Sequence, residues 1–534
     1  MAQKTINPYG TNGQAASGLG IVDNLVDGGQ DKALSAEMGK ELNDRLEVLE
    51  TYHGFRHRIE FSLFDATIPN GTPTIVDNGS FFSIVVTPQT DYTITSAIGT
   101  MVNGTLTKTE KQDGSVMFST DNVVGNINIF VVAIPDELVG IKMSLKMSKS
   151  YIADNPTILY NNNERWNYRG GLLLRGMLGV YDAYSNDNDV SDLLAYAKKY
   201  YHDCVNSGGI VGGVWGSYAK SNYDSDQVQP AFNLFRLKQL DSDQAYAANG
   251  GYYDNVISTL VDQLADQPRL AEPTDVVGTK GHPYQHKANY AYQHWLDGDF
   301  MVQPFRTLYA STSLSGQTQV DAYNDIVGQL VNSGVLTYDS ETKLYRHAFS
   351  GQGSSATWAD SNGQSYYAWG RALGWHIMAL CEVLDILPTN HSRRMELVDI
   401  LTGLLIELQK YKDDGVWHLL PTVDTTDIRN DFEATSSCMF AYGYLHGARM
   451  GYLPESMKQI AKNVYESVLD KFVEINGASV TLKKCVTGGN PGGTSTTKQQ
   501  VLENYYSKSF ADNDLHGVGP FIMASLEYEL LFNN

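Results

Sequence analysis

The chain has 534 residues, of which 42% are hydrophobic and 19% are charged. This length predicts about three domain-sized units, and the apolar content is sufficient for buried cores. Lys and Arg total 39 and Asp and Glu total 60, which gives a net charge of −21 and argues against nucleic acids and anionic membranes as main partners.

The four cysteines lie far apart, with no CxxC pair and no Cys/His cluster of zinc spacing. We therefore predict neither a disulfide scaffold nor a structural zinc site. The first residues carry no apolar core of a signal peptide, and no stretch approaches about 18 uninterrupted apolar residues. We expect a protein without a signal peptide or bilayer span, located in the cytoplasm of the producing cell or in a particle assembled there.

Residues 1–56 begin with a stretch rich in Gly, Asn and Ser, followed by an amphipathic helix over DKALSAEMGKELNDRLEVLETYH. Its apolar stripe recurs at helical spacing and consists of Leu34, Met38, Leu42, Leu46 and Leu49. A single helix of this length is marginal in water. We expect it to pack on the next domain or on copies of itself.

Residues 57–150 change to a period of two. Runs such as HRIEFSLFD, SFFSIVVTP and NINIFVVAI are rich in Val, Ile and Phe and are separated by Asn, Gly, Asp and Pro. This spacing predicts a small antiparallel β-sandwich. No acid, base or nucleophile pattern is evident in it, so we interpret it as a spacer.

Residues 155–534 are predicted to be helical. Amphipathic segments fall near 165–185, 190–206, 229–240, 251–266, 294–312, 320–335, 365–386, 392–411, 432–450, 456–473 and 513–532. Segments that are apolar nearly all round alternate with amphipathic ones, which indicates an inner ring of buried helices and an outer ring with one wet face. The predicted fold is mainly α, an (α/α)6 barrel of helical hairpins, with function in the loops at one mouth.

Asp297 follows Trp295 and Leu296 at the start of one strongly apolar segment. A carboxyl group held against an indole in a low dielectric stays protonated more easily, as a general acid must. Spacing alone favours the simpler role, in which Asp297 only caps the helix. Asp299 is a rival acid, but a residue two positions on points to another side of the helix.

Arg371 and Trp375 lie one helical turn apart and so share a face. A guanidinium beside an indole would make a carboxylate-binding corner, or the pair could be an ordinary surface stack. His286 and His347 precede aromatic stretches, where a single histidine is usually structural. Their spacing is not that of a metal site on one helix.

Eight stretches in the C-terminal part resemble, in order, the unsaturated rhamnogalacturonyl hydrolases of glycoside hydrolase family 105, with unsaturated glucuronyl hydrolases as cousins. The stretches are RWNYRGGLLLRG, SDQVQPAFNLFRL, DQLADQPR, YQHKANYAYQHWLDGDFMVQPF, LYRHAFSG, TWADSNGQSYYAWGRALGWHIMAL, FEATSSCMFAYGYLHGARMGYL and HGVGPFIMASLEYELL.

The resemblance implies a role for each matching residue. Asp297 falls on the family's catalytic acid and Asp226 on its second carboxylate, while Trp295 and His286 match the conserved tryptophan and the histidine upstream of the acid. The remaining matches are substrate-binding: His347 and Arg371 around the uronate end, and the aromatic walls Tyr168 and Trp375.

The reaction implied by the resemblance begins at a C4=C5 double bond rather than at the glycosidic bond. Protonated Asp297 would deliver a proton to C4 of a Δ4,5-unsaturated uronate at the non-reducing end. Water would then add at C5 and the sugar beyond would be expelled. We expect no metal and no organic cofactor, and an oligosaccharide or surface glycan as substrate.

The chain departs from the family pattern at three places. Leu373 stands where the family often has a polar residue, and Asp299 adds a negative charge beside Asp297. The stretch LAEPTDVVGTKGHP (270–283) is insertion-like and is expected to reshape the mouth. These differences bear on the substrate more than on the acid.

The segment GGQDKALSAEMGKELNDRLEVLE resembles a segment common in tail or fibre proteins of phages that infect gut bacteria. The resemblance implies that residues 1–56 attach the protein to other tail proteins, that it is located in the virion, and that it forms a homo-oligomer. Besides a tail-associated glycosidase, two functions stay open: a non-catalytic carbohydrate-binding tail module, and a hydrolase of saturated glycans that uses Asp226 and Asp297.

Overall fold

The computed structural model describes residues 56–158, 166–186, 190–211, 218–274 and 281–532. The predicted helix of residues 31–53 and the attachment segment lie outside these residues. The chain divides into two compact units between Val139 and Gly140. Among the described helices, none combines the length and apolarity needed to cross a bilayer.

The first unit is a sandwich of two four-stranded sheets, ordered β3-β1-β8-β5 and β2-β4-β7-β6. The strands are β1 (Arg56–Phe64), β2 (Ala66–Thr67), β3 (Ile75–Asp77), β4 (Phe82–Pro88), β5 (Tyr92–Met101), β6 (Thr107–Glu110), β7 (Val116–Thr120) and β8 (Ile127–Pro135). Inward-facing residues such as Val86, Phe118 and Val131 are fully buried between the sheets. The pairing of β1 with β8 is parallel, whereas the sequence predicted antiparallel pairing throughout; strand periodicity does not encode the direction of the neighbouring strand.

The second unit is the predicted (α/α)6 barrel. Its helices are α1 (Met143–Asp154), α2 (Tyr168–Tyr184), α3 (Ser191–Cys204), α4 (Leu234–Leu240), α5 (Gln244–Ala247), α6 (Tyr252–Asp266), α7 (Asp297–Ser313), α8 (Gly316–Thr337), α9 (Gly370–Ile386), α10 (Arg394–Leu408), α11 (Ala434–Arg449), α12 (Lys458–Phe472), α13 (Lys498–Tyr506) and α14 (Leu515–Phe532).

The inner ring closes through neighbouring contacts of α2, the segment Gln229–Leu240, α7, α9, α11 and α14, and α14 packs back on α2. The outer helices α3, α6, α8, α10 and α12 connect consecutive inner ones. The sequence pattern did not predict the short helices α5 and α13. It also did not predict α1, which packs on α14 and completes the outer ring. Its short, weakly amphipathic sequence MSLKMSKSYIAD carries two lysines and four small polar or acidic residues, so the helical period is faint.

Burial explains the two kinds of helix. In inner helix α9 every residue from Gly370 to Leu384 is buried, Leu373 among them. In outer helix α6 only one stripe is buried, which includes Val256, Leu260 and Leu264. The opposite face is exposed to solvent.

The inner helices alternate with outer ones, so all six run in the same direction and begin at one mouth of the barrel. Short strand pairs decorate this unit: β9 (Val205–Asn206) with β10 (Gly209–Ile210), β11 (Gln293–Trp295) with β12 (Ala348–Ser350), β13 (Val473–Asn476) with β14 (Ser479–Leu482), and β15 (Cys485–Val486) with β16 (Phe510–Ala511). Tyr168, Asp297, Arg371 and His516 all lie in first turns of inner helices. Partial positive charge from those helix ends therefore collects at this mouth, which suits an anionic ligand.

Candidate active site

Asp297 is brought beside His347 by a short antiparallel strand pair. The register places Trp295 opposite Ala348, and the Leu296 amide donates to the His347 carbonyl oxygen at 3.1 Å. As a result, Asp297 Oδ2 lies 3.2 Å from His347 Nε2. The other ring nitrogen of His347, Nδ1, lies 2.8 Å from the Tyr505 hydroxyl.

The Asp297 side chain does not cap its helix. Leu296 occupies the cap position, and no side chain there accepts a capping hydrogen bond from the described backbone. Asp297 Oδ2 is buried, and the His347 contact is at ion-pair distance but outside good hydrogen-bond geometry. The side chain as a whole is 16% exposed, so a ligand in the mouth can reach it. This geometry favours the acid over the helix cap.

The expectation that Asp297 is neutral in the free protein is wrong. Burial raises its pKa, but His347, His286 and Arg371 together outweigh burial and hold the pKa below the ordinary value of 3.8. Trp295, expected to desolvate the acid, stacks instead on His286. Asp297 is therefore ionised at neutral pH in the free protein. A ligand that offsets these positive charges would raise its pKa.

Asp226 belongs to a buried group of charges with Lys287 and Asp224. Lys287 Nζ donates to Asp226 Oδ2 at 2.6 Å and contacts Asp224 Oδ1 at 3.1 Å. Burial raises the pKa of Asp226, but Lys287 and His286 lower it by more than burial raises it, so the pKa lies below its ordinary value. Burial and the Asp226 charge raise the pKa of Asp224 to about 6. Asp226 is thus the ionised member of the pair, and at 13% exposure it is also the more accessible one.

His286 forms one side of the site through an aromatic stack. Its ring lies parallel to the Trp295 indole at 4.6 Å between centroids, and Tyr290 stacks on the same indole at 4.8 Å. His286 Nε2 is 3.7 Å from Asp226 Oδ1. Burial lowers the pKa of His286 to about 4, so the imidazole is neutral near pH 7. It can accept or donate a hydrogen bond to a sugar hydroxyl without adding charge.

Arg371 is buried at 3% exposure in the first turn of α9. Its guanidinium lies over the Trp369 ring at 4.4 Å, and Nη1 donates to the Val486 carbonyl at 2.6 Å. The indole partner is therefore Trp369 rather than the predicted Trp375, because the Arg371 side chain extends back toward the residue preceding the helix. Arg371 Nε is buried and has no hydrogen-bond partner among the described residues. The N–H of Nε is therefore a buried donor that the described residues leave unsatisfied.

The Trp369 indole is covered by a glycine. A Cβ on Gly489 would lie 2.2 Å from the six-membered ring of Trp369. Only a residue without a side chain allows the loop after Val486 to pack this closely on the indole that supports Arg371.

Tyr168 and Trp375 lie together, but at different depths. Their rings meet edge to face at 6.1 Å, and Trp375 also stacks on Phe300 at 5.0 Å. Trp375 is 1% exposed, so it lies behind Tyr168. The Tyr168 hydroxyl is within 2.7 Å of His516 Nε2 and lies within electrostatic range of Asp226, Asp297 and Arg371.

Asp299 does not add its charge to the mouth, contrary to the sequence-based expectation. It is 1% exposed, accepts a hydrogen bond from Ser333 at 2.8 Å and contacts His376 Nδ1 at 2.8 Å. Two residues along α7 turn it into the helix packing below the site. It is a structural carboxylate.

The structure thus brings together Tyr168, Asp226, His286, Trp295, Asp297, His347 and Arg371, with Trp375 behind them. Several neighbours were missed by sequence reasoning: Asp224, Lys287, Trp369, Tyr505, Asp514 and His516. The signal for Lys287 was its position directly after His286, and for His516 its place in the recognised stretch HGVGPF. The insertion-like stretch 270–283 lies partly outside the described residues, which resume at Gly281.

A cavity of about 560 Å³ lies at the other end of the barrel, lined by side chains that include Asp182, Arg236, Lys238 and Asp254. Its carboxylates are already paired, Asp182 with Arg236 and Asp254 with Lys238. Within the described part of the chain, no group of three or more His, Cys, Asp or Glu side chains is arranged to hold a metal ion.

Comparison with known proteins agrees with this architecture. The profile of Glycosyl Hydrolase Family 88 matches residues 143–532. The unsaturated rhamnogalacturonyl hydrolase YesR of Bacillus subtilis is 22% identical over 315 residues, which covers 56% of this chain and 77% of YesR. A protein of Agrobacterium fabrum, Atu3128, is 29% identical over 240 residues, 43% of this chain and 99% of that protein.

Among solved structures, a family 105 glycoside hydrolase of Clostridium acetobutylicum is 28% identical, with a TM-score of 0.64 over 73% of this chain and all of that one. A possible family 105 member from Salmonella enterica is 18% identical, with a TM-score of 0.54 over 72% of this chain and 93% of that one; it supports the fold alone.

Proposed function

Because the chain belongs to glycosyl hydrolase family 88, we propose that it is a glycosidase that removes a Δ4,5-unsaturated uronic acid from the non-reducing end of oligosaccharides. The observation that carries the proposal is the Asp297 carboxylate beside His347, in one mouth with the unsatisfied guanidinium nitrogen of Arg371. An acid and an anion-binding group are what an unsaturated uronate requires.

The first interaction on binding is electrostatic, between the negative uronate and the positive groups at the mouth. Arg371 takes the uronate carboxylate through its buried Nε, and the helix ends at the mouth favour the same negative charge. The bound carboxylate neutralises Arg371, which is one of the groups that lower the pKa of Asp297. The substrate also excludes water. Both effects raise the pKa of Asp297, so substrate binding itself promotes the protonated form of the acid.

The first chemical step is protonation of carbon. The C4=C5 bond is an enol ether, and protonated Asp297 gives its proton to C4, which leaves a cation at C5 shared with the ring oxygen. The ionised carboxylate of Asp226 lies on the same mouth and stabilises this positive charge. General acid catalysis of this kind contributes roughly 10²–10⁴ in rate.

Water completes the reaction. It adds to C5 while the Asp297 carboxylate accepts its proton. The resulting hemiketal opens, the former ring oxygen becomes the hydroxyl of a hemiacetal at C1, and that hemiacetal expels the remaining sugar as an alcohol. One water is consumed for each bond cleaved, and the proton that Asp297 accepts from this water replaces the one it gave to C4.

The test is a screen of lyase-digested pectin, glycosaminoglycan and capsule fragments, followed by absorbance of the double bond and by product mass. Loss of absorbance together with release of the shortened oligosaccharide supports the proposal. The matched control is the same oligosaccharide with its double bond reduced, which must not be cleaved. Binding of all fragments without turnover would favour a carbohydrate-binding module, and cleavage of the reduced control would favour a hydrolase of saturated glycans.

We also propose that residues 1–56 attach the enzyme to a phage tail and bring copies of it together. Support comes from the resemblance of residues 28–50 to tail proteins and from the stripe that includes Leu42 and Leu46. The test is the molar mass of the full chain by light scattering. Leu42→Asp with Leu46→Asp should convert an oligomer into a monomer, and an unchanged mass would contradict the assignment.

A further inference from the structure

Tyr168, His516 and Asp514 form a hydrogen-bonded chain that ends at the mouth. The Tyr168 hydroxyl is 2.7 Å from His516 Nε2, and His516 Nδ1 is 2.6 Å from Asp514 Oδ1. His516 is 1% exposed in the first turn of α14, directly below the partly exposed Tyr168 in the first turn of α2. Two neighbouring inner helices therefore meet through this chain.

The protonation of each member follows from its surroundings. Asp514 also accepts the backbone N–H of His516 at 3.0 Å, and these contacts with His516 hold its pKa low despite burial. An ionised carboxylate can only accept, so His516 Nδ1 must donate. Burial and the charge of Arg371 lower the pKa of His516 to about 4, which leaves Nε2 unprotonated at neutral pH.

Nε2 is then the acceptor for the Tyr168 O–H. Burial raises the pKa of Tyr168, so the phenol keeps its hydrogen and donates it to His516. With its one hydrogen committed, the phenol oxygen has only lone pairs left for the mouth, where the charged neighbours of Tyr168 are Arg169, Asp226, Arg371 and Asp297. Without this chain, the hydroxyl could rotate and donate toward the substrate instead.

We propose that Asp514 and His516 are positioning residues that hold the Tyr168 hydroxyl as a hydrogen-bond acceptor, with its lone pairs facing the cationic carbon of the reacting sugar. The inference rests on the proposed function. An oxygen aimed in this way stabilises charge that exists in the transition state and is absent from the bound substrate. Loss of either positioning residue should therefore lower kcat and leave KM nearly constant.

The tautomer is measured without any substrate. In protein labelled with ¹⁵N-histidine, the resonances assigned by their absence in His516→Gln should show a neutral imidazole with hydrogen on Nδ1 at pH 7. An imidazolium, or hydrogen on Nε2, would overturn the inference. This readout holds even if no unsaturated oligosaccharide is cleaved, in which case the proposed function fails while the hydrogen-bonded chain is still tested.

The second test of the inference is the kcat of variants at His516. His516→Phe, which removes the acceptor, should lower kcat about tenfold or more, and His516→Gln, whose amide oxygen can accept, should restore it to within about threefold of wild type. In a Tyr168→Phe background, His516→Phe should cost nothing further, because its effect passes through the phenol.

His202→Phe is the matched control. His202 makes the same kind of contact on outer helix α3, 2.7 Å from Asp241 and stacked on Tyr246, and its loss should leave kcat unchanged. An equal loss of kcat from His516→Phe with and without the Tyr168 hydroxyl would overturn the inference, as would a His516→Gln variant no faster than His516→Phe.

Discussion

Asp297 Oδ2 lies 3.2 Å from His347 Nε2, and neither atom has another hydrogen-bond partner in the described part of the chain. Asp297 comes just after β11 and His347 just before β12, and the two residues meet because these strands pair. A carboxylate next to an imidazole, both poorly satisfied, is an arrangement that a bound substrate can complete. The same contact lowers the pKa of Asp297 in the free protein, so the proposed mechanism requires that substrate binding protonate it.

The first prediction concerns pH. The pKa of Asp297 in the free protein is below 3.8, so its protonated fraction falls as pH rises above that value. We expect kcat/KM, which reports the free enzyme, to fall from about pH 5 to pH 8. The decline in kcat should begin at higher pH, because the bound uronate neutralises Arg371 and raises the pKa of Asp297. Steady-state kinetics across this range measures both, and a kcat that declines at lower pH than kcat/KM would contradict the account.

Arg371 should determine the preference for a free carboxylate. Wild type is expected to bind the unsaturated uronate more tightly than its methyl ester, since only the acid pairs with the guanidinium. Arg371→Met should raise KM for the acid about tenfold or more and remove the preference. Arg371→Lys should be intermediate, because an ammonium keeps the charge but loses the planar fork. An Arg371→Met variant with the wild-type preference would show that another residue binds the carboxylate.

Lys287 should matter for stability. It is 10% exposed and holds two carboxylates, Asp224 and Asp226, that are nearly as buried. Lys287→Met leaves both without a cation, which costs about 3–5 kcal/mol and lowers Tm by about 5 °C. Adding Asp224→Asn should recover part of the loss, because it removes one of the two repelling charges.

The control for this variant is Lys149→Met, which breaks a half-exposed pair with Asp192 and should cost about 1 kcal/mol or less. The measurement is the Tm of wild type, Lys287→Met, Lys287→Met with Asp224→Asn, and Lys149→Met, each by thermal unfolding. Equal losses from Lys287→Met and Lys149→Met would mean that the Asp224–Asp226 pair needs no cation.

His446 gives a stability prediction that depends on pH. His446 lies between Glu527 at 2.9 Å and Asp385 at 2.8 Å. Burial lowers its pKa, but these carboxylates outweigh burial and raise it to about 10. The folded pKa exceeds the unfolded value of 6.5, so this stabilisation is complete below pH 6.5 and is lost as pH rises through 10.

His446→Gln should therefore lower Tm most near neutral pH, and the difference from wild type should shrink toward pH 10. Differential scanning calorimetry of both proteins at several pH values measures this. A difference that stays constant would show that His446 is not charged in the folded protein.

The barrel could be predicted because the apolar pattern of each helix shows how much of its surface is buried. Segments such as GWHIMALCEVLDIL are apolar on every face, and each predicted segment contains a helix in the structure. The periodicity did not predict the short helices α5 and α13. It also did not predict α1, in whose short sequence lysines and serines interrupt the apolar residues. Its place in the outer ring is set by contact with α14, close to the other end of the chain, and local periodicity carries no record of such a contact.

The sequence indicated which residues lie together at the candidate site, but not their protonation or all of their partners. The family resemblance pointed to Asp297 and Arg371, but the protonation of Asp297 depends on His347 and His286, which are near it only after folding. The partner of Arg371 depends on the direction of its side chain, so Trp369 was missed. Lys287 was overlooked because lysine is usually a surface residue, and only the structure shows it 10% exposed between two carboxylates.

The central claim is that the Asp297 carboxyl group delivers a proton to C4 of the double bond. Asp297→Asn keeps the shape of the side chain but has no acidic proton, so its Tm should match that of wild type. The most direct measurement is the rate of absorbance loss at the double bond with one unsaturated oligosaccharide for both proteins. We predict that the variant is slower by roughly 10²–10⁴. A variant as fast as wild type, or release of sugar by wild type with the double bond retained, would contradict the claim.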